Sequence, residues 1–355
     1  MASRNAGGAA PAAMFRLRPP PPLAGPLPPP MFPYPMPHGV AVPFVAPPPR
    51  FPMPHRAAAP YYGGAAAVRP PPPPATLSVE MRSVTAANFE SELDLIGSLL
   101  PMFPILVVDT EYPGAVHRPA AGRREGQLTA DERYALVKAN VDELPLVQLG
   151  LTLCDGRGNL PRAPGLDPLT GRPVELAWEF NFSDFDVAAD RHVPSSVAFL
   201  QSQGIDFHLA RTCGVPAAAF GEKLLAVLPD DAHRDQLTWV AFGGAYDFAY
   251  LVKTLGGGQP LPETREEFLY QVREMLGGRV FDAKYLAESC GRGDLRGVGL
   301  RGVATNLGVP RHMPEPPCLA GPKSLTACRV LTLIRRQGLY PDGGACHEGI
   351  IDGLE

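Results

Sequence analysis

The chain has 355 residues, with 32 Lys and Arg against 36 Asp and Glu, a formal net charge of −4 and 45 % hydrophobic residues. That length holds one large domain or two small ones. It contains no run of eighteen apolar residues, so no membrane span is expected, and prolines interrupt any signal-peptide core.

The composition divides the chain. Residues 1–75 hold 24 of the 44 prolines, six arginines and no Asp or Glu. A segment this rich in Pro and Ala cannot bury a core, so residues 1–76 are expected to be disordered, partly polyproline II. An Arg-bearing, acid-free tail also fits a transit peptide, but its prolines would break the amphipathic helix. The tail otherwise offers an RNA contact, a ligand for a proline-reading domain, or a solvated spacer. Residues 77–355 are expected to form one globular domain. The chain beyond the tail carries 26 basic and 36 acidic residues, a net −10. That sign argues against a generic phosphate-coating nucleic-acid binder. It leaves room for an enzyme that grips phosphates through metal ions. The six cysteines have neither zinc-ligand nor redox-motif spacing, which points to a reduced compartment, nucleus or cytoplasm.

Asn88 is a candidate cap for a helix carrying Phe89, Leu93, Ile96 and Leu100 on one stripe. Ile105–Gly114 follows as Ile-Leu-Val-Val-Asp-Thr-Glu-Tyr-Pro-Gly, a strand buried on both faces and ended by Pro113-Gly114. Residues two apart share a face, so Asp109 and Glu111 point one way and Thr110 the other. Two carboxylates on one face repel unless neutralised. They are either solvent-facing strand-end residues or ligands of a hard divalent cation such as Mg²⁺. A polar loop, Arg118–Gly126, leads to Thr129 and Glu132, spaced as a capping box for a helix through about Asn140. Leu146–Cys154 and Glu175–Phe182 read as hairpin strands with a long loop, Asp155–Pro173, between them. Pro194 and Pro216 start helices running to about Gln203 and Leu228. Leu237–Phe242 is a buried strand. The Gly243-Gly244 turn then leads into a helix over Tyr246–Leu255. Glu263–Leu276 is an amphipathic helix, Val280–Asp282 a short strand, and Ala283–Ser289, Leu300–Leu307 and Lys323–Arg336 are helices. The fold class is α/β, with one central sheet and helices on both faces.

Six blocks in register carry a resemblance. They are Val108–Gly114, Asn140–Leu153, Trp178–Phe182, Gly204–Phe207, Tyr246–Lys253 and Phe281–Leu286. Over roughly Ser83 to Tyr340 the chain resembles the Caf/Pop family, the ribonuclease subunit of the Ccr–Not deadenylation complex. The resemblance implies a ribonuclease-H-like mixed sheet of the DEDD exonuclease superfamily and removal of nucleotides from the 3′ end of the poly(A) tail of RNA. It implies the scaffold and a second deadenylase subunit of that complex as partners; with no membrane span and no disulfide framework in the sequence, residence in nucleus and cytoplasm is expected. It also implies four acidic residues holding two divalent ions, Mg or Mn, with a His beside the fourth as general base. Asp109 and Glu111 match the first motif and Asp247 the second. Two such ions about 3.5–4 Å apart clamp a scissile phosphate.

The third motif departs. The family reads His-x-Ala-Gly-x-Asp before a helix, whereas this chain reads Cys318-Leu319-Ala320-Gly321-Pro322-Lys323. Cys318 stands for the base and Lys323 for the fourth carboxylate, a local charge change of +2. A protonated Lys323 competes with a cation, and beside three carboxylates it leaves charge enough for one divalent ion, not two. Gly243-Gly244 replace the usual His-Ser. His312 and His347 lie nearby in sequence without a partner acid at the family spacing and read as surface histidines. Two functions follow: a poly(A) exoribonuclease with impaired metal use, or a catalytically inactive adaptor of the same complex. Gly256-Gly257-Gly258 follows a helix rather than a strand, which argues against a dinucleotide site. Arg292-Gly293-Asp294 is an adhesion motif only outside the cell.

Overall fold

The polypeptide is organised around one central, almost fully buried strand. In the computed structural model, which describes residues 78–168, 171–230, 233–310 and 318–355, β2 (Ile105–Glu111) is buried at every position but the last. Before it come β1 (Ser78–Val84) and α1 (Phe89–Leu99). After it come α2 (Ala130–Glu143), β3 (Gln148–Cys154), β4 (Arg162–Leu166) and β5 (Pro173–Asn181). Three helices follow, α3 (Pro194–Ser202), α4 (Phe207–Cys213) and α5 (Ala217–Val227), then β6 (Thr238–Ala241) and α6 (Ala245–Leu255). The chain closes with α7 (Arg265–Leu276), β7 (Arg279–Asp282), α8 (Ala283–Ser289), α9 (Leu300–Leu307) and α10 (Ala320–Arg336). The described residues fall within one compact unit, Pro70–Glu355.

The strands form one sheet in the order β1-β5-β3-β2-β6-β7, with β4 added to β5. Antiparallel β3 joins β2 to β5, while β6 and β7 continue parallel to β2 and β1 lies parallel to β5. This is the mixed sheet expected of a ribonuclease-H-like fold. Alternation along β2 divides the core. Leu106 and Val108 pack with α1, α2, α5, α6 and α7, while Ile105 and Val107 pack with α8, α9 and α10. Helices therefore cover both faces. A smaller apolar cluster joins α3 and α4 to Val147 and Leu319.

The expected capping box holds: Thr129 and Glu132 cap α2 reciprocally. A second box, Thr264 with Glu267 on α7, is added by the structure. Other expectations need correction. Asn88 does not cap α1. Its side-chain oxygen accepts instead from the Thr85 N–H at 2.8 Å. The loop between the hairpin strands contains β4, whose Arg-Ala-Pro-Gly-Leu sequence carries no strand signal and which is mostly exposed. The first strand, β1, and the seven-residue α4 were also not anticipated. Helix α10 starts at Ala320, three residues before the expected start, because Pro322 is tolerated within a first helical turn. The expected disorder of residues 1–76 and the placement of His312 lie outside the described residues. Among the described residues no helix is long and apolar enough to cross a membrane.

Candidate active site

Asp109 and Glu111 close strand β2 on the face covered by α10, and a backbone contact aims that helix at them. Asp109 pairs in register with Gly150, and Gly150 with Glu179, across β2, β3 and β5. At Gly150 the first turn of α10 lies directly on the sheet, leaving no room for a side chain beneath the Ala320–Gly321 peptide. The Ala320 N–H donates to Gln148 Oε1 at 3.2 Å, one of the helix-terminal donors that would otherwise lack a partner. Glu179 abuts the same turn, 2.9 Å from where a Cβ on Gly321 would sit.

This seating delivers Lys323 to the carboxylates. Its Nζ lies 2.7 Å from Asp109 Oδ2 and 2.9 Å from Glu111 Oε1. Neither oxygen has an aligned hydrogen bond among the described residues, so the contact is first of all an ion pair. The strand period is met: Asp109 and Glu111 face one side together, and the ammonium stands between them. The Lys323 side chain keeps 26 % exposure against 11 % and 12 % for its partners. Burial alone would favour neutral lysine, but the charges of Asp109 and Glu111 outweigh it and hold the ammonium protonated. Burial pushes the Asp109 carboxyl up, opposed by Lys323, and acts on Glu111 in the same sense.

Asp247 is held from the opposite face of β2. It lies in the first turn of α6, and Thr110 donates its hydroxyl to Asp247 Oδ1 at 2.6 Å. Burial raises its pKa to about 6, against the effect of the Thr110 hydrogen bond. Asp247 is thus a neighbour of Asp109 whose carboxylate is partly committed to Thr110. The Gly243-Gly244 turn before α6 is fixed by Asp282, which accepts both N–H groups at 2.8 Å. Gly243 has φ +68°, and a Cβ on Gly244 would lie 2.5 Å from that of Ala241. A His-Ser pair would need this turn to shift.

Cys318 is exposed, and its N–H donates to Gln203 Oε1 at 2.9 Å. His347 packs edge-on between Tyr285 and Tyr340. Glu179 escaped the sequence reading as a site residue. Its only signal is its register with Gly150 beside Asp109. Burial lifts its carboxyl above the ordinary range, against the pull of the Gly321 N–H.

Chemically, Asp109 and Glu111 form a cradle for a cation, and the cation in it is Lys323. Among the described residues no group of three or more His, Cys, Asp or Glu side chains is placed to hold a metal ion. As arranged, the donor set does not fit a divalent pair: two carboxylates neutralise an ammonium and the third accepts from a hydroxyl.

Residues 84–218 match the CAF1 family ribonuclease. Among similar proteins, the poly(A) ribonuclease pop2 of Schizosaccharomyces pombe is 34 % identical over 267 residues, covering 74 % of this chain and 71 % of that protein. The probable CCR4-associated factor 1 homolog 7 of Arabidopsis thaliana is 36 % identical over 237 residues, covering 66 % and 79 %. The solved structure of S. pombe Pop2p in its Mg²⁺- and Mn²⁺-bound form superposes with a TM-score of 0.63 at 32 % identity, over 77 % of this chain and 99 % of that one.

Proposed function

The chain belongs to the CAF1 ribonuclease family, and from that premise we propose that it is a 3′-to-5′ exoribonuclease subunit directed at poly(A), with its own cleavage weakened by Lys323. Its partners on this reading are the 3′ ends of poly(A) tails and the scaffold and second deadenylase of a Ccr–Not-like complex. Support comes from a relative that is a poly(A) ribonuclease and another that is a CCR4-associated factor. The fold contributes the frame: β2 carries Asp109 and Glu111 at the end of a central strand, and α6 brings Asp247 near Asp109.

The observation that carries the weakening is the 2.7 and 2.9 Å contact of Lys323 with the carboxylate pair. A divalent ion at this place has to displace the ammonium. Breaking a largely buried ion pair costs about 3–5 kcal/mol, which takes roughly two to four orders of magnitude from the affinity for such an ion. We infer that at most one ion binds tightly. The same contact favours a second reading, a non-catalytic subunit that keeps the fold for assembly. Cys318, exposed in the place of the general base, adds to it.

A 5′-labelled RNA ending in poly(A), incubated with the purified chain in Mg²⁺ or Mn²⁺, separates the two. Slow trimming of the tail, accelerated at least about a hundredfold in the Lys323→Asp/Cys318→His variant, supports the ribonuclease reading. No trimming by the unmodified chain, together with recovery of the other deadenylase subunits on co-purification, supports the adaptor. Loss of both results removes the complex-subunit reading.

A further inference from the structure

At the other end of α10 from Lys323, a shallow, solvent-open cleft lies between the last helical turns and the 155–158 turn that leaves β3. Three arginines are among its lining residues, Arg157, Arg335 and Arg336, with an apolar wall that includes Ile105 and Leu331. Lys323 and Arg335 are twelve residues apart, about 18 Å along a helix axis. Strand β2 begins at the cleft with Ile105 and ends at the carboxylates with Glu111. The two sites occupy opposite ends of the sheet.

None of the three arginines is ion-paired with a carboxylate among the described residues. Three part-buried arginines elsewhere do pair with acids: Arg82 with Glu92, Arg265 with Asp131 and Arg329 with Glu175. The one acid at the cleft, Asp155, is committed to its own turn. Its carboxylate accepts the N–H groups of Arg157 and Asn159 and the Asn159 side chain, each at 2.8 Å. Arg336 donates to the Arg157 carbonyl at 2.6 Å, which ties the helix end to the turn. The Arg335 guanidinium stands 5.7 Å from the centre of the Phe281 ring, to which Arg279 stacks at 4.9 Å. Arg279 is neutralised by Glu348 at 2.6 Å, while Arg335 is not paired. Burial disfavours the charged form of Arg335, and the like charge of Arg279 adds to that. A part-buried guanidinium with no carboxylate partner among the described residues is a cost in the free chain that an anion removes.

A guanidinium presents a planar fork of N–H donors that matches the oxygens of a phosphate. The carbonyls of the last turn of α10 carry partial negative charge, so an anion here is held by side chains and not by the helix end. We propose that this cleft is a binding site for a phosphate group, held by Arg157, Arg335 and Arg336. The phosphate is either free in solution or the terminal group of an RNA strand.

Titration calorimetry of the full chain tests this with inorganic pyrophosphate and with a short oligoadenylate bearing or lacking a 5′-phosphate. Saturable binding of pyrophosphate or of the phosphorylated oligomer is expected, weakened at least about tenfold by Arg335→Met. Arg157→Gln, an exposed change on the turn that leaves the core untouched, is expected to weaken it as well. Tighter binding of the phosphorylated oligomer assigns the site to RNA ends, and tighter binding of pyrophosphate assigns it to free phosphates. Absence of saturable binding to every probe, or the same affinity in the unmodified chain and both variants, overturns the proposal.

Discussion

A Cβ placed on Gly150 would lie 2.0 Å from the carbonyl oxygen of Ala320. Bare backbone at this point of β3 lets α10 begin against the sheet, one strand away from Asp109. The nearest atoms to be displaced are backbone, which cannot rotate aside as the end of a side chain can. Gly150→Ala is therefore expected to cost about 3 kcal/mol, the upper range for overpacking, and to push Lys323 off the carboxylates. Urea denaturation of the purified variant reads the loss. A change under about 0.5 kcal/mol would mean that the helix start is not seated as described.

Removing the ammonium while keeping the helix gives a different signature. Lys323→Met leaves Asp109 and Glu111 facing each other with no cation between them. The expected loss is about 3 kcal/mol at neutral pH, the cost of unpairing a largely buried charge. Millimolar Mn²⁺ should restore much of it, raising the melting temperature of the variant more than that of the unmodified chain. Equal Mn²⁺ shifts in the two proteins would place the ion elsewhere.

Acid sensitivity has a source far from this site. Glu92 on α1 is buried, accepting from Arg82 Nε at 2.7 Å and from Trp178 Nε1 at 2.9 Å. The Arg82 hydrogen bond, with Trp178 assisting, holds its carboxyl below the ordinary range despite burial. A depressed carboxylate pKa gives stability that is present above the unfolded value, near 4.3, and lost as pH falls through the folded one. Glu92→Gln should cost about 2 kcal/mol at pH 7, less than a fully buried pair because Arg82 is 31 % exposed. The difference between variant and parent should shrink as pH falls below about 4. Denaturant midpoints from pH 3 to pH 7 measure it, and a constant difference would contradict the assignment.

The capping box on α7 gives a local control. Thr264 accepts from the Glu267 N–H at 3.2 Å, and Glu267 accepts from the Thr264 N–H at 3.3 Å. Thr264→Ala should destabilise by about 1 kcal/mol with cation binding unchanged. A shift in Mn²⁺ affinity in this variant would show that stability and ion binding are not separable here.

What the sequence discloses depends on how local the cause is. The apolar run of β2 and the two-residue period that aligns Asp109 with Glu111 are one-dimensional signals, as is the Thr129 capping box. Strand β4 is exposed and contains Pro164 and Gly165, so only its pairing with β5 makes it a strand. Strand β1 mixes Glu80 and Arg82 into its run and takes its identity from parallel pairing with β5. The Lys323 substitution is visible by alignment of Ala320-Gly321, but its reach to both carboxylates depends on the contact at Gly150. Glu179 enters the site only through register across three strands, and Asp247 meets Thr110 across 137 residues of sequence.

Lys323 is the cation of the Asp109–Glu111 pair. Titration calorimetry with Mn²⁺ on the unmodified chain and on Lys323→Asp tests it most directly. No more than one tight ion is expected in the unmodified chain, and at least one additional tight ion in the variant. Two tight ions bound by the unmodified chain, with Lys323→Asp leaving the stoichiometry unchanged, would contradict it.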